Sequence, residues 1–210
     1  AELMEVARRD RKIVLLSGDI GNKLFDKYKA AYPERFYNCG VAEAGMMGAA
    51  AGLALGGLRP IVYTINSFLT TRAYEQIKID VCHHGLAVVI VGVGGGLAYA
   101  ENGATHESCE DLAIMRVLPG LKVLCPGDPF EVRACLRAAV LEKGPVFMRI
   151  GKKGEPCVHR AVPKLVIGRG LVLAEGRDVC VLSAGNMLPA AMECRELLSR
   201  RKVSARVVSF

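Results

Sequence analysis

The chain has 210 residues, 51% of them hydrophobic and 23% charged, which supports a substantial apolar core and excludes a disordered chain. Its net charge of +7 (28 Lys and Arg against 21 Asp and Glu) is scattered, with Arg8, Arg9, Arg11 and Lys12, then Lys152–Lys153 and Arg200–Lys202, as the only tight groups. With no aromatic interleaving and no zinc-ligand spacing, that charge argues against a nucleic-acid partner and suits small phosphorylated or carboxylated substrates.

Eight cysteines, at positions 39, 82, 109, 125, 135, 157, 180 and 194, form no CxxC pair, and most lie in apolar runs where a thiol behaves as a small hydrophobe. The longest stretch without Asp, Glu, Lys or Arg, Val81–Ala100, carries paired histidines and a glycine-rich end that suit a buried strand and loop, not a membrane span. With no signal peptide visible, the expectation is a reduced, cytoplasmic protein without a membrane partner.

In chain order, Lys12–Ser17 reads as a strand and Glu43–Leu55 as a helix. Leu58–Thr64 is a strand introduced by Gly56-Gly57, Ser67–Val81 is helical, and Gly85–Gly92 is a fully apolar strand. Cys109–Arg116 fits a short helix. Leu121–Cys125 is a strand stopped by Pro126-Gly127-Asp128-Pro129, where Asp128 can cap a helix Phe130–Glu142, and Pro145–Ile150 closes as another strand. Continuous apolar strands separated by helices predict an α/β fold, a parallel sheet flanked by helices on both faces. Ligands gather at the carboxyl ends of strands in such sheets, and Asp19, Asn66–Arg72 and Gly92–His106 all follow strands.

Gly151–Pro163 then breaks the pattern with charges, glycine and proline. Beyond it, Leu171–Leu173, Asp178–Ser183, a helix Met187–Arg200 and a strand Val203–Phe210 begin a partial second α/β domain; about 45 residues are too few to bury a sheet alone. The expected division is a domain over 1–153, a linker over 154–165 and the incomplete second domain over 166–210.

Residues 40–57 set one acid, Glu43, at the head of an otherwise apolar, small-residue helix. A carboxylate there costs free energy unless it is partnered or protonated, and such groups collect at functional sites. The plainer account is a helix N-terminal acid satisfied by backbone N–H groups and the helix dipole.

Six segments lie in one order along the chain: Leu-Leu-Ser-Gly-Asp-Ile-Gly (15–21), Arg-Phe-Tyr-Asn-Cys-Gly-Val-Ala-Glu (35–43), Ser-Phe-Leu-Thr-Thr-Arg-Ala-Tyr-Glu-Gln-Ile (67–77), Glu-Asn-Gly-Ala-Thr-His (101–106), Glu-Asp-Leu-Ala-Ile-Met-Arg-Val-Leu-Pro-Gly (110–120) and Val-Phe-Met-Arg-Ile (146–150). Together they resemble the pyrimidine-binding domain of the transketolase family, and residues 166–210 resemble the opening of that family's C-terminal domain. The resemblance implies the thiamine-diphosphate-binding fold, with Glu43 hydrogen-bonded to N1′ of the coenzyme's aminopyrimidine and driving that ring to its imino form. It further implies that Phe68 stacks on the pyrimidine and that Arg72 and Asp19 lie among the coenzyme-facing residues. His106 matches a histidine over the reacting centre that binds substrate or shuttles protons. Arg149 matches an arginine for the sugar's distal phosphate, which Lys23, Lys152 and Lys153 could enlarge.

Each of these residues also has a plainer account. Phe68 suits a core position, Arg72 an ion pair with Glu75 or Glu101, and His106 a cap for a helix starting near Ser108. Lys152 and Lys153 fit a solvent-facing role, and His83, His84 and His159 read as ordinary surface or loop histidines. The run Gly92–Leu97 fails the dinucleotide spacing Gly-x-Gly-x-x-Gly, because position 97 is Leu. Many transketolases carry a substrate-binding histidine where this chain has Gly94 and an aspartate where it has Asn102, so Asn102 is a substrate-binding candidate that departs from the pattern.

No Gly-Asp-Gly with a downstream Asn occurs, which is the family's signature for holding the diphosphate through Mg²⁺. The expectation is half an active site, completed by a diphosphate-binding N-terminal subunit or domain that carries the Mg²⁺, in a homodimer or α₂β₂ assembly. The implied reaction transfers a two-carbon ketol unit from a ketose to an aldehyde. The neighbouring alternatives are a 2-oxoacid dehydrogenase β subunit, a deoxyxylulose phosphate synthase, or a non-catalytic partner protein.

Overall fold

Alternation along the central strands decides the architecture. In β1 (Ile13–Ser17) every residue is buried, with Ile13 and Leu15 facing Val6, Phe25 and Tyr28 while Val14 and Leu16 face Met46, Met47 and Ala50. A strand apolar on both sides must be covered on both sides. The structure, a computed structural model, describes residues 1–21 and 23–210. Its main sheet joins β1 to β2 (Phe36–Asn38), β3 (Arg59–Ile65), β4 (Val89–Val93), β5 (Lys122–Leu124) and β6 (Val146–Ile150) in the order β2-β1-β3-β4-β6-β5, all parallel.

The helices α1 (Glu2–Arg9), α2 (Asp26–Ala31), α3 (Glu43–Leu55), α4 (Tyr74–Gln76), α5 (Asp111–Arg116) and α6 (Pro129–Ala139) divide between the two faces. Residues of α1, α2 and α6 enter one core, and those of α3 and α5 the other. Helix α3 buries Glu43, Met46, Met47, Ala50 and Ala51, an i, i+3, i+4, i+7, i+8 stripe, so its glutamate lies on the core-facing side. The carboxyl ends of β1, β3, β4 and β6 open onto one rim, where the loops carrying the candidate residues lie.

The sequence pattern places most elements to within a few residues, with differences at α1, α2, β2, the start of β4 and residues 68–82. Helix α1, helix α2 and strand β2 do not stand out from the apolar pattern. Glu2 of α1 is buried because Arg133 (2.8 Å) and Arg137 (2.6 Å) of α6 both bind its carboxylate, holding it below the usual range chiefly through Arg137. Strand β4 begins at Val89 rather than Gly85, after a turn over 83–85. Residues 68–82 are helical but underwound to π geometry on both sides of α4, at Phe68–Arg72 and Ile77–Cys82. At the first of these Thr70 donates to the Asn66 carbonyl (2.9 Å) and Thr71 to the Ser67 carbonyl (2.6 Å), back-bonds that compete with the helical ladder.

A second sheet of β7 (Leu171–Ala174), β8 (Val179–Ser183) and β9 (Ala205–Ser209), ordered β7-β9-β8, packs against α7 (Leu188–Arg200) through Leu188, Ala191 and Val207. That core is small, and Leu182 on β8 stays 65% exposed. The two sheets meet at the start of α6. Asp128 caps that helix at the Glu131 N–H (2.7 Å), as its sequence predicts, and also accepts from the Val158 (2.9 Å) and His159 (2.7 Å) N–H groups. Burial by itself raises an acid, but these donors outweigh it and hold Asp128 below the usual carboxylate range. Glu131 accepts from Gly127 N–H (2.7 Å) and from the Ser209 hydroxyl of β9 (2.9 Å). His159 is therefore not an ordinary loop histidine: its ring lies against Asp128 (3.2 Å) and Glu131 (3.7 Å).

The cysteines also divide differently from the expectation. Cys82, Cys125 and Cys135 are buried, with burial raising the Cys82 thiol to about 11 and the Cys135 thiol to about 12, but Cys109, Cys157, Cys180 and Cys194 are exposed. Among the described residues no helix is long and apolar enough to cross a membrane.

Candidate active site

The acid at the head of α3 is 1% exposed. Its partners are side chains, not the backbone N–H groups of its own helix. Arg72 Nη1 donates to Glu43 Oε2 at 2.6 Å, and the Thr64 hydroxyl stands 3.5 Å from Oε1. Arg72 thus pairs with Glu43, where the sequence suggested Glu75 or Glu101. Its side chain remains 47% exposed, so the pair runs from the core to the rim of the sheet.

The rim carries the rest of the group. Arg72 spreads its guanidinium 4.8 Å from the Phe68 ring, and the His106 ring meets Phe68 edge-on at 5.0 Å. The loop that bears His106 is fastened twice. Ser67 Oγ donates to the Thr105 carbonyl (2.9 Å), and Gly96 and Ser108 exchange backbone hydrogen bonds of 2.9 Å. Thr105 Oγ1 lies 2.9 Å from His106 Nδ1, which orients the ring. His106 therefore faces Phe68 and Tyr99 and does not cap α5. Glu43, Arg72, Phe68 and His106 are the four predicted residues that the structure brings together.

The other four have partners of their own or stand in exposed turns. Asp19, exposed and at φ 57°, accepts from Asn38 Nδ2 (2.8 Å). Lys23 is exposed in the turn after β1, at φ 65°. Asn102 is exposed at the end of the 3₁₀ turn Ala100–Asn102. Arg149 is only 13% exposed, and its Nε donates to Asp111 Oδ2 at 2.7 Å. Burial by itself lowers the pKa of a guanidinium, but the Asp111 carboxylate outweighs it and holds Arg149 above its ordinary value. Asp111 also binds Asn66 Nδ2 and the Leu112 N–H (2.6 Å), and Asn66 binds the Ser108 hydroxyl (2.8 Å).

Two further residues matter, and of these the motifs did not single out Tyr99. Tyr99 lies with its ring 6.4 Å from His106, in the space that a Cβ on Gly94 would enter; Gly94 itself sits at φ +81°. Lys152, rather than pointing simply to solvent, pairs with Glu101 and sets its ammonium 4.8 Å over the Tyr99 ring. A Gly-rich turn followed by an aromatic is the signal that could have found Tyr99, since such glycines allow a ring to lie on the backbone.

Chemically, the group presents an acid with one carboxylate oxygen contacted only at 3.5 Å, a half-buried aromatic face, and an imidazole beside it. That combination can hold a flat heteroaromatic ring that offers a nitrogen to the acid and a face to Phe68. Among the described residues no cluster of three or more His, Cys, Asp or Glu is arranged to hold a metal ion.

Comparison with known proteins bears on the same region. Residues 1–155 match the family described as "Transketolase, pyrimidine binding domain". Over 99% of its length the chain is 33% identical to the "Putative transketolase C-terminal section" of Methanocaldococcus jannaschii and to one subunit of the apulose-4-phosphate transketolase of Phocaeicola vulgatus, spanning 67% of each. A solved "Split gene transketolase, inactive beta4 tetramer" superposes with a TM-score of 0.90 at 37% identity, over 99% of this chain and 68% of that one. The chain thus spans about two thirds of these relatives. With the domain match over 155 residues and this identity along nearly its whole length, the chain belongs to the transketolase family.

Proposed function

We propose that this chain is the pyrimidine-binding subunit of a two-subunit transketolase, transferring a two-carbon ketol unit from a ketose to an aldehyde. The observation that carries the reading is the buried Glu43, held by Arg72 on one oxygen, met only by the Thr64 hydroxyl at 3.5 Å on the other, and joined through Arg72 to the Phe68–His106 rim. The names of the split and two-subunit relatives support the assembly with a diphosphate-binding partner, which in this reading carries the Mg²⁺.

When bound, thiamine diphosphate supplies the carbon nucleophile that takes up the two-carbon unit. Glu43 would hold a proton between its Oε1 and the pyrimidine nitrogen, and Arg72 keeps Oε2 in place. Phe68 would hold the ring face; an aromatic contact contributes about 0.5–1.5 kcal/mol beyond area burial. His106, oriented by Thr105, would donate to the substrate's carbonyl oxygen and later return a proton. Asp19 and Arg72 complete the coenzyme side, and Asn102, Lys23 and Arg149 the substrate side. Arg149, tied to Asp111, acts there as a fixed wall of the site.

The test is deuterium exchange at the coenzyme's thiazolium carbon, followed by proton NMR in the complex with the diphosphate-binding subunit. Glu43→Gln should slow that exchange by about a hundredfold or more, matching the usual size of an acid–base contribution. Exchange within about tenfold of the wild type would remove Glu43 from the role.

A further inference from the structure

Asn66 and Ser67 stand between β3 and Phe68, and their backbone and side chains serve different partners. Their carbonyls take the Thr70 and Thr71 hydroxyls (2.9 and 2.6 Å), inside the segment that carries Phe68. Their side chains reach out of that segment to the loop that carries His106. We propose that Ser67 and Asn66 are the positioning residues of His106, holding the imidazole where it serves the substrate, while the coenzyme side of the site does not depend on their side chains. The inference rests on the reading of His106 as the donor to the substrate's carbonyl oxygen.

Three observations carry it. First, these neighbours hold the loop at two places. Its base, the Gly96–Ser108 bridge, is tied by Asn66 Nδ2 to the Ser108 hydroxyl (2.8 Å). Its far side is tied by Ser67 Oγ to the Thr105 carbonyl (2.9 Å), one residue before His106. Thr105 in turn sets its Oγ1 2.9 Å from His106 Nδ1, so a shift of Thr105 turns the ring. Second, Asn66 is placed for its donors. It is buried, its Nδ2 serves both Ser108 and Asp111, and its Oδ1 has no partner. That oxygen lies against the backbone of β4, where a Cβ on Gly92 would come within 1.9 Å of it. A buried amide oxygen without a donor carries a cost in free energy that an apolar side chain would avoid, so stability alone does not account for this residue.

Third, the fold does not need the Ser67 tether. Thr105 is exposed, so water takes its carbonyl when the hydroxyl is removed, and an alanine at 67 keeps the carbonyl that Thr71 binds. What the tether supplies is distance. A group misplaced by about 1 Å loses on the order of a hundredfold in rate with its chemistry unchanged.

The experiment uses the assembled holoenzyme with xylulose 5-phosphate as donor and ribose 5-phosphate as acceptor. Ser67→Ala should lower kcat for the transfer by roughly tenfold to a hundredfold with KM within about threefold, and Ser67→Thr should recover most of the rate. Thiazolium deuterium exchange in Ser67→Ala should stay within about twofold of the wild type, a split that general loosening of the fold does not give. In a double-mutant cycle, Ser67→Ala should cost nothing further once His106→Ala is present, because nothing is left to place. Asn66→Ala also strips a donor from Asp111, so Ser108→Ala, which removes only the hydroxyl, tests the other tether. Backbone amide exchange over residues 103–108, read by mass spectrometry without turnover, should quicken by about tenfold in Ser67→Ala and in Ser108→Ala. An unchanged Ser67→Ala rate beside a slowed His106→Ala, additive losses in the double variant, slowed thiazolium exchange, or unchanged amide exchange would each overturn the proposal. A His106→Ala enzyme at full speed would overturn the reading of His106 and the proposal with it, so the two failures are told apart.

Discussion

Glu43 and Asp111 are both 1% exposed, both stand near the carboxyl ends of the parallel sheet, and both have an arginine against one oxygen. Their surroundings differ. Asp111 is filled: Leu112 N–H binds one oxygen, Asn66 and Arg149 bind the other, and Arg149 is itself enclosed. Glu43 has Arg72 on one oxygen, a hydroxyl at 3.5 Å from the other, and an arginine that reaches solvent. A buried acid with close donors on both oxygens holds structure together. One left short of donors is available to a ligand, and burial alone does not tell the two apart.

The largest expected contrast is between activity and stability. Glu43→Gln should lower turnover by about a thousandfold or more, near 4 kcal/mol in barrier, while its melting temperature stays within a few degrees of the parent. Steady-state rates of the assembled enzyme and calorimetry on the same samples read both quantities; a rate within tenfold would collapse the distinction. Asp111→Asn should do the opposite to the fold, because it leaves Arg149 buried without its charge partner. Urea unfolding should report a loss of about 3 kcal/mol. A loss under about 1 kcal/mol would mean that the filled acid is no more structural than the unfilled one.

Arg72→Leu sits between them. It strips Glu43 of its strongest donor and should cost about 1–3 kcal/mol in the same urea experiment, with Arg72→Lys recovering part of it. The smallest effect concerns Asp128, a third buried acid and a filled one. Its folded carboxyl is held below its ordinary value, so its contribution is fully present above the unfolded value, near 3.9, and is lost as pH falls through the lower folded one. Asp128→Ala should therefore cost about 0.5–2 kcal/mol at neutral pH and flatten the fall in stability below about pH 4. An unchanged acid limb in the variant would assign that fall to other groups.

The parallel sheet was legible because strands such as Ile13–Ser17 and Val89–Val93 are apolar on both faces, a pattern that only a doubly covered sheet explains. The short pieces were not. Strand β2, half exposed at the sheet edge, and helix α2, six residues long, carry too little periodicity to stand out. At the site, Glu43 was legible as the single acid in an apolar helix, and the motifs led to Phe68, Arg72 and His106. What the sequence could not show was which charges meet. Arg72 and Glu43 are 29 residues apart, Arg149 and Asp111 38, and His159 and Asp128 31, so these pairs exist only once the sheet brings the loops together. Spacing reaches partners one or two helical turns away, which is why Glu75 looked a better partner for Arg72 than Glu43 did.

The meeting of Tyr99 with Gly94 has a consequence for descent. The ring fills the place of a side chain at position 94, and the backbone there has a conformation that costs any residue but glycine. A histidine could not be introduced at 94 while the tyrosine stands, and removing the tyrosine alone frees the ring's space without filling it. Single changes at either position therefore lead downhill, and the two arrangements are joined only by a simultaneous or compensated step. The two positions therefore have to change together.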